Sequence, residues 1–570
     1  MEAATHYGID ELQAPVGHAD ASTPFSQETV VLSKQAYIQL KWEANYWKRQ
    51  HELSLNREGV LTQKLERAKA QVRDLKRRYF GKRSEKGSKK TEALAPADKA
   101  KQPRGQRRGG RGHGRTARPD LPVVEEVHKL DESKQACLCC GLPYEEIAGT
   151  EDSQIVEIQV QGYIRKIRRQ RYRRACQCKS APVIITAPAA ARLIPKSPLG
   201  ISVWTEVLLD KYLYARPTNR LCVDMRALGI ALAQGTLTGG LKKLLPLFKP
   251  LMAALLEKQL SERLFHGDET RWQVFEQIEN KVGYRWYLWI TQSASVVFYR
   301  MAPTRGAVVP KGHFGALDPA VQVILVCDRY SAYKSLVKEF PMILLAFCWA
   351  HVRRDFLEGS RNWPALEAWM LTWVEAIGHL YHLNAQRLEV WDERLSLADQ
   401  SPAFTKRHQA LQERLEQMRE RRDELLGQTT LHSAQKKVLT SLKNHWSGLT
   451  VFVAHPQVPM DNNQAERSQR NPVTGRKNYY GSGAIWSAEL AAMLFSVLQT
   501  IILWGLNPRH WLQDYLTACA QNGGRSPAQL TPHLPWSMDE QRREMLKRPL
   551  PSTGFSPAGK LPDLMAPDTS

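Results

Sequence analysis

Acidic residues are few in this sequence relative to basic ones. The chain has 57 Asp and Glu against 80 Lys and Arg, a formal net charge of +23. Cysteine is scarce as well, at nine residues in 570, which argues against a disulfide-stapled scaffold. The composition, 43% hydrophobic and 24% charged, is that of a protein that can bury a core, and the positive surplus favours a polyanionic partner such as nucleic acid.

Long hydrophobic runs are also lacking. The most apolar late stretch, residues 493–506, is followed at once by Asn507 and Pro508, so we expect it not to span a bilayer. Nothing at the N-terminus has the pattern of a signal peptide. These absences favour a cytoplasmic protein.

The length predicts several structural units, since domains average about 150 residues. Composition and periodicity indicate a loose leader, a helix-rich segment, a basic linker, a β-rich segment, a helical segment, a mixed α/β domain with a helical insertion, and an irregular tail. The corresponding ranges are 1–26, 27–80, 81–120, 121–186, 187–262, 263–520 with the insertion at about 356–450, and 521–570.

The helix-rich segment carries a seven-residue apolar repeat, which predicts a coiled coil and hence self-association. Gly59 and several polar residues interrupt the repeat at its middle, so a long amphipathic helix packed on its own protein is the alternative. The positions of the repeat are Leu40, Trp47, Leu61, Ala68 and Leu75.

Positive charge is concentrated between Lys64 and Pro119, where 20 Lys and Arg stand against 5 acids. The second half of this stretch is a Gly/Arg linker that cannot bury a core. A flexible cationic arm binds DNA phosphates without sequence preference; a solvated tether is the alternative. The candidate phosphate-binding residues of this arm are Arg104, Arg107, Arg108, Arg111 and Arg115.

The β-rich segment predicts a two-stranded ribbon. Apolar residues alternate with polar ones over residues 156–160, and residues 163–174 form a very basic second strand. Three arginines of that strand, Arg171, Arg173 and Arg174, are further candidate DNA contacts.

Two pairs of cysteines flank this ribbon. Cys137 and Cys140 have a Cys-x2-Cys spacing, and Cys176 and Cys178 have a Cys-x-Cys spacing. Four thiolates suit tetrahedral Zn²⁺ in a structural site without an open position. We therefore predict a structural zinc, with Cys139 as a spare residue; free or redox-active thiols are the alternative.

Helical spacing over residues 200–262 includes a candidate helix-turn-helix between Leu221 and Leu245, with its turn at residues 228–230. Three glycines in its second helix, Gly235, Gly239 and Gly240, each cost a helix about 1 kcal/mol relative to Ala. A plain helical hairpin is therefore an equal alternative.

Residues 263–350 contain β-prone apolar runs separated by short pieces, which predicts a mixed α/β domain. Residues 355–449 are rich in Leu, Glu, Arg and Gln and predict a surface helical hairpin inserted in that domain. Helices resume beyond Pro459.

Three acids of this domain stand out by their position. Asp268 lies on a predicted strand that sends Asp268 and Glu269 to opposite faces, so only one can face a site. Asp328 follows a strongly apolar strand, at the rim of the sheet. Glu466 lies on a helix for which Asp461 is the predicted N-cap. Three such carboxylates could bind two Mg²⁺ for phosphodiester displacement; ordinary surface carboxylates are the alternative.

Neighbouring residues supply candidate supporting groups. Asn462 and Arg470 share a helical face with Glu466 and are expected to orient Glu466 or a scissile phosphate, with helix packing as the alternative. Arg476 and Lys477, in a predicted turn, are expected to contact DNA phosphates, with a solvated turn as the alternative.

A metal-like spacing also occurs outside the cysteine pairs. Cys348 and His351 have a Cys-x2-His spacing, but without a second pair we expect no zinc there. His351 is expected to be a packed residue at a strand end.

Five motifs occur in a fixed order along the chain. They are His266-Gly-Asp-Glu-Thr270, Cys327-Asp-Arg-Tyr-Ser-Ala-Tyr333, Cys348-Trp-Ala-His-Val-Arg-Arg354, Asp461-Asn-Asn-Gln-Ala-Glu-Arg467 and Gly475-Arg-Lys-Asn-Tyr-Tyr-Gly-Ser482. In this order they resemble the insertion sequence 66 family of bacterial DDE transposases. The leucine-rich N-terminal helix, the basic linker and the paired cysteines extend the resemblance over most of the chain.

The resemblance implies a multidomain α/β protein. Its catalytic domain would be an RNase H-like mixed sheet with a helical insertion, preceded by a coiled coil, a small zinc-ribbon-like domain and a helical region. Asp268, Asp328 and Glu466 match the family's catalytic triad, which would hold two Mg²⁺ or Mn²⁺ ions. The implied function is cleavage at transposon ends and strand transfer to target DNA.

The resemblance also implies partners. These are double-stranded DNA, both as inverted-repeat ends and as target, further copies of the chain, and accessory proteins of the same element, at the bacterial nucleoid. Two other functions stay open: a non-catalytic zinc-containing DNA-binding protein, and an RNase H-like nuclease without strand transfer.

Overall fold

The computed structural model describes residues 31–80, 187–279 and 283–550, together with scattered residues between 139 and 186. Several predictions lie outside these residues, among them the leader, the basic linker and three of the four proposed zinc ligands. The candidate residues outside the described part are Arg104, Arg107, Arg108, Arg111, Arg115, Cys137, Arg174, Cys176 and Cys178.

Helix α1, Lys34–Phe80, is a single helix of 47 residues. The predicted helix is confirmed, and it continues through Gly59 without a break. Its described side chains are exposed except for Ala70, and Trp42 stacks on Tyr46 with ring centroids 5.5 Å apart. The coiled coil stays a prediction.

Strand β1, Arg171–Arg173, pairs antiparallel with strand β2, Ile184–Thr186. This differs from the predicted ribbon, in which residues 156–160 were to pair with residues 163–174. The described residues among 155–170 have no strand conformation, and apolar side chains there, such as Ile158 and Ile164, are exposed. Alternation of apolar and polar residues predicts a strand when the apolar side chains can pack on a hydrophobic core. Among the described residues, no such core covers these side chains.

Three helices confirm the helical segment that precedes the α/β domain. They are α2 (Ile201–Tyr212), α3 (Thr218–Ala227) and α4 (Gln234–Leu260). A turn with Gly229 at φ +78° separates α3 from α4. The three glycines do not break α4, and Gly240 has a packing role, because a Cβ there would overlap the ring of Trp204.

The α/β domain is built on one five-stranded mixed sheet. Its elements, in chain order, are β3 (Leu264–Gln273), β4 (Arg285–Gln292), β5 (Val297–Ala302), α5 (Val308–Phe314), β6 (Val323–Cys327), α6 (Ser331–Glu339) and β7 (Ile343–Phe347). The spatial order is β5-β4-β3-β6-β7. Strands β3, β4 and β5 are antiparallel neighbours, whereas β3, β6 and β7 run parallel.

The region after β7 contains more helices than the predicted surface hairpin. It contains α7 (Trp349–Asn362), α8 (Glu367–Leu388), α9 (Pro402–Gly427), α10 (Ser433–Asn444), α11 (Trp446–Leu449) and α12 (Val451–Ala454). These helices share a core with one face of the sheet, in which Trp349, Trp373 and Leu411 are fully buried beside Val326 of β6. The insertion lies close to its predicted bounds, but it is not a surface hairpin, because the charged pattern of α9 marks only the outer face of a packed helical layer.

Four helices complete the described chain: α13 (Asn463–Tyr479), α14 (Ile485–Leu503), α15 (Pro508–Gln521) and α16 (Glu540–Lys547). By length and composition α14 is long and apolar enough to cross a membrane. In the fold, however, 61% of its most apolar 18-residue stretch is buried. Helix α14 packs against β5 and α4 as a core helix.

The tail is ordered as far as its described residues extend. Besides α16 it contains a short helical turn, Thr531–His533, and His533 is buried. The carbonyl of His533 accepts a 2.9 Å hydrogen bond from the indole of Trp511. The prediction of an irregular tail was therefore wrong up to residue 550, because composition does not reveal such a distant anchor.

Candidate active site

Strand β3 presents Asp268 to one face of the sheet and its neighbours to the other. The hydroxyl of Tyr333 on α6 donates a 3.0 Å hydrogen bond to Glu269, and a Cβ added at Gly267 would lie 3.2 Å from the same ring. On the opposite face His266 Nδ1 lies 3.2 Å from Oδ1 of Asn462, just before α13. Because alternate residues share a face, Asp268 faces α13 with His266, and Glu269 faces α6.

The register of the sheet places Asp328 level with Asp268. Strands β3 and β6 are parallel, and His266 pairs with Val326. Asp268 lies two residues beyond His266, and Asp328 lies two residues beyond Val326. Asp328 leaves the sheet in a turn, where its Oδ1 accepts a 2.9 Å hydrogen bond from the backbone of Tyr330.

Helix α13 brings the third acid, Glu466, and Asn462 fixes the start of that helix. The Asn462 side chain donates a 2.7 Å hydrogen bond to the carbonyl of Gly267, and its backbone N–H donates to Cys348 Sγ at 3.2 Å. Asn462 is also the N-cap position, one residue later than the predicted Asp461. Glu466 lies in the first turn of α13, one turn beyond Asn462, on a helix that packs against β3.

The rest of α13 is held against the sheet by buried polar contacts. The hydroxyl of Tyr299 on β5 donates a 2.8 Å hydrogen bond to the carbonyl of Ser468. The hydroxyl of Ser468 in turn donates to Gln292 of β4 at 2.8 Å. The helix that carries Glu466 is thus fixed to three strands, β3, β4 and β5.

Negative charge is concentrated at this site. Burial, followed by the charge of Glu269 and to a smaller extent the charges of Asp328 and Glu466, raises the pKa of Asp268 to about 8. Burial and the charge of Asp328 also raise the pKa of Glu269, although Arg305 opposes this with an ion pair of 2.5 Å. The acids therefore act electrostatically on one another.

These residues fit divalent cations. Oε1 of Glu466 is buried without a hydrogen-bond partner, and burial together with the charges of neighbouring carboxylates raises the pKa of Asp268. Carboxylate oxygens are the ligands that Mg²⁺ and Mn²⁺ prefer. Asp268, Asp328 and Glu466 are the residues that would hold such ions.

His351 belongs to this site, although the sequence suggested only a packed residue. Its Nε2 lies 3.7 Å from Oε1 of Glu466. Burial and the charge of Arg354 lower the pKa of His351, while the charges of Glu466 and Asp328 raise it. The Cys-x2-His spacing with Cys348 was the available signal, but the partner that completes the group, Glu466, lies more than a hundred residues later in the chain.

Three further predicted residues lie on α13. Arg470 is exposed. Arg476 and Lys477 lie in the last turn of α13 and not in the predicted turn. The guanidinium of Arg476 is half-buried, donates to Thr270 Oγ1 at 3.0 Å and to the carbonyl of Arg271, and so ties α13 to β3.

Of the remaining predicted DNA contacts and zinc ligands, the described ones lie at the surface. Arg171 and Arg173 are exposed on β1, Lys477 is exposed at the end of α13, and Cys140 is exposed. Nothing in the described residues brings Cys140 to the other predicted ligands, because those lie outside the described part.

Comparison with known proteins adds to this geometry. Residues 196–490, slightly more than half of the chain, match the transposase IS66 family. The chain is similar to the uncharacterized protein y4jD of Sinorhizobium fredii, with 27% identity over 457 residues that cover 76% of this chain and 85% of that protein. It is also similar to the uncharacterized protein y4hP of the same organism, with 25% identity covering 72% and 75% of the two chains. The matched segment contains the five-stranded sheet and all three acids, and the chain belongs to the transposase IS66 family.

Proposed function

We propose that this protein is a DNA transposase that cuts at the ends of its insertion sequence and joins them to target DNA. Membership of the transposase family supports the general role. The single observation that supports the catalytic part is the placement of Asp268, Asp328 and Glu466 on adjoining elements, close enough for their charges to influence one another. Parallel register brings the first two level, and the charges of Asp328 and Glu466 raise the pKa of Asp268.

The strand order supports an RNase H-like catalytic domain. Counted within the domain, the sheet has the order 3-2-1-4-5, with the first three strands antiparallel and the last two parallel to the first. Asp268 lies on the first strand, Asp328 follows the fourth, and Glu466 lies on a later helix. These are the positions that the motifs imply for a DDE triad.

In this proposal each acid has a role in holding two divalent ions. Bound Mg²⁺ or Mn²⁺ would supply activation of the attacking hydroxyl and stabilisation of the departing oxygen. Asp268 and Asp328 offer oxygen ligands from neighbouring strands, and Glu466 offers one from α13. Asn462 positions Glu466 by fixing α13 to the strand residue before Asp268.

Positive charge outside the triad supports DNA as the substrate. The net charge is +23, and the Gly/Arg linker with Arg171, Arg173 and Arg174 would bind phosphates without reading sequence. At the end of α13 we assign a phosphate contact to the exposed Lys477 in preference to Arg476, which is bound to β3. We also propose that Cys137, Cys140, Cys176 and Cys178 hold a structural Zn²⁺.

Self-association through α1 fits the same function, because joining two transposon ends needs more than one active site. The exposed apolar residues of α1 include Leu40, Trp47 and Leu61, which lie on the seven-residue repeat. We propose a homo-oligomer that acts at the nucleoid, with accessory proteins of the same element. Sedimentation equilibrium of the full chain and of Leu40→Glu would test this, since the variant should shift towards monomer.

A strand-transfer assay tests the catalytic proposal. Full-length protein, Mg²⁺ and DNA carrying the inverted repeats that flank the coding region should give both cleavage and joining. Asp268→Ala, Asp328→Ala and Glu466→Ala should each abolish the chemistry and retain DNA binding, measured by fluorescence anisotropy. Asp318→Ala, which removes an exposed acid of the same domain, is the matched control.

The assay also separates the other functions. Cleavage without joining would favour a nuclease with the same metal centre. Binding with neither reaction would favour a non-catalytic DNA-binding protein, and activity retained in any one triad variant would remove that residue from the triad.

A further inference from the structure

Cys348, His351 and Glu466 form a compact group of side chains with three different ligand chemistries. One ligand atom from each, a sulfur, a nitrogen and an oxygen, lies within 4.8 Å of the other two. Nε2 of His351 and Oε1 of Glu466 are 3.7 Å apart. We propose that this group is a metal site for a borderline or soft divalent ion, with Zn²⁺ as the best match.

Local structure explains why the three side chains meet. Cys348 follows β7 and is the N-cap residue of α7, and His351 lies three residues later in the first turn of that helix. Residues three apart on a helix face the same side. Glu466 approaches from the first turn of α13, whose start is bound to Cys348 through the backbone of Asn462.

The distances suit a tetrahedral ion. Zinc binds sulfur at about 2.3 Å and nitrogen or oxygen at about 2.0–2.2 Å, so its ligand atoms lie roughly 3.3–3.8 Å from one another. The His351–Glu466 separation already lies in this range. Three protein ligands leave a fourth position open, which is typical of zinc sites that are not purely structural.

The surroundings of the group also suit a bound ion. Cys348 is fully buried, and its sulfur accepts the N–H of Asn462 at 3.2 Å, an outer contact that would orient a thiolate ligand. His351 and Glu466 are 25% and 32% exposed, so an ion can enter from their side. Nδ1 of His351 and Oε1 of Glu466 are buried without hydrogen-bond partners, which is uncommon for buried polar atoms.

This site differs from the magnesium centre in its ligands but shares Glu466 with it. Mg²⁺ prefers oxygen ligands over thiolate or imidazole, whereas Zn²⁺ binds sulfur, nitrogen and oxygen ligands. An ion held by Cys348 and His351 would therefore draw Glu466 away from Asp268 and Asp328. This competition rests on the proposed function; the metal site itself does not.

Cobalt binding tests the site without any need for activity. Full-length protein stripped with a chelator is titrated with Co²⁺, and thiolate-to-cobalt absorption and bound cobalt per chain are measured. Cys348→Ser and His351→Gln should each bind one Co²⁺ fewer, or bind it at least roughly 100-fold more weakly, since even loss of an outer contact costs 10–100-fold. The difference spectrum between wild type and Cys348→Ser should show one thiolate ligand, separate from any bands of Cys137, Cys140, Cys176 and Cys178.

Matched variants control for general effects. Cys222→Ser removes another buried thiol, on α3, and His379→Gln removes an exposed histidine on α8; both should bind cobalt as wild type does. If Cys348→Ser fails to fold by circular dichroism, His351→Gln decides, because its side chain is partly exposed. Equal cobalt content and equal bands in wild type and His351→Gln would overturn the proposal, whether or not the protein cleaves DNA.

Discussion

The side-chain amide of Asn462 donates a 2.7 Å hydrogen bond to the carbonyl of Gly267. Gly267 immediately precedes Asp268 on β3, and Asn462 precedes Glu466 by one helical turn. One buried amide therefore joins the strand and the helix that carry two of the three proposed catalytic carboxylates, and the distance between those carboxylates depends on it.

Replacing Asn462 should damage both stability and turnover. Asn462→Ala leaves the Gly267 carbonyl and His266 without this partner, which should lower the free energy of unfolding by about 1–3 kcal/mol. Small misplacements of reacting groups can reduce rates by roughly 100-fold, so DNA cleavage should fall at least tenfold while DNA affinity is unchanged. Asn463→Ala, at the exposed neighbouring position, should change neither. Normal cleavage by a measurably destabilised Asn462→Ala would show that Asn462 only stabilises the fold.

Two adjacent glycines of α4 should respond in opposite directions to the same substitution. A Cβ at Gly240 would overlap the Trp204 ring, whereas a Cβ at Gly239 meets nothing within 4 Å. Gly240→Ala should therefore lower the free energy of unfolding by about 1–3 kcal/mol, and Gly239→Ala should raise it by about 0.5–1 kcal/mol. Urea unfolding measures both, and equal effects would contradict the packing of α4 on α2.

The metal-free protein should lose stability as the pH rises from 4 to 8. Burial, then the charge of Glu269, raises the pKa of Asp268 from 3.8 to about 8. Between these values the folded chain keeps a proton that the unfolded chain has released, so this contribution to stability is present below pH 4 and is lost by pH 8. Asp268→Asn cannot lose a proton, and its free energy of unfolding should fall less over this range.

The control for this measurement is Asp318→Asn, which replaces an exposed acid of the same domain and should follow the wild-type pH dependence. Identical pH dependence in wild type and Asp268→Asn, with a chelator present, would show that folding does not raise the pKa of Asp268.

Zinc should inhibit cleavage supported by magnesium if both proposals are correct. Zn²⁺ bound by Cys348 and His351 would occupy Glu466, so the rate should fall as Zn²⁺ is added at constant Mg²⁺. Cys348→Ser should need at least roughly tenfold more Zn²⁺ for the same fractional inhibition, because one ligand is lost, and Cys222→Ser should behave as wild type. Equal zinc sensitivity in the two variants would place the inhibitory ion elsewhere.

Local patterns in the sequence were sufficient to predict the elements that carry the three acids. An apolar run that ends in an acid predicted the end of β6 and Asp328, and alternation on β3 predicted that only one of Asp268 and Glu269 faces the site. The order of motifs along the chain identified the family that the comparisons also show. These features depend on residues close together in sequence.

Features that depend on distant contacts were not predictable in the same way. The Asn462–Gly267 bond joins residues 195 positions apart, and the Cys348–His351–Glu466 group needs a ligand from a separate helix. Gly240 was expected only to destabilise its helix, because Trp204, the residue that it packs against, lies on another helix. The pairing in the predicted ribbon was wrong for a related reason, since alternation of apolar and polar residues does not identify the segment with which a strand pairs.

The central claim is that Asp268, Asp328 and Glu466 bind the same pair of divalent ions. Anomalous diffraction from crystals of the full chain with transposon-end DNA and Mn²⁺ tests it most directly. We predict manganese peaks about 2.1–2.2 Å from carboxylate oxygens of all three residues, consistent with hard-ion coordination. Manganese peaks elsewhere, or ions bound by Asp268 and Asp328 with Glu466 remaining out of reach, would contradict the account.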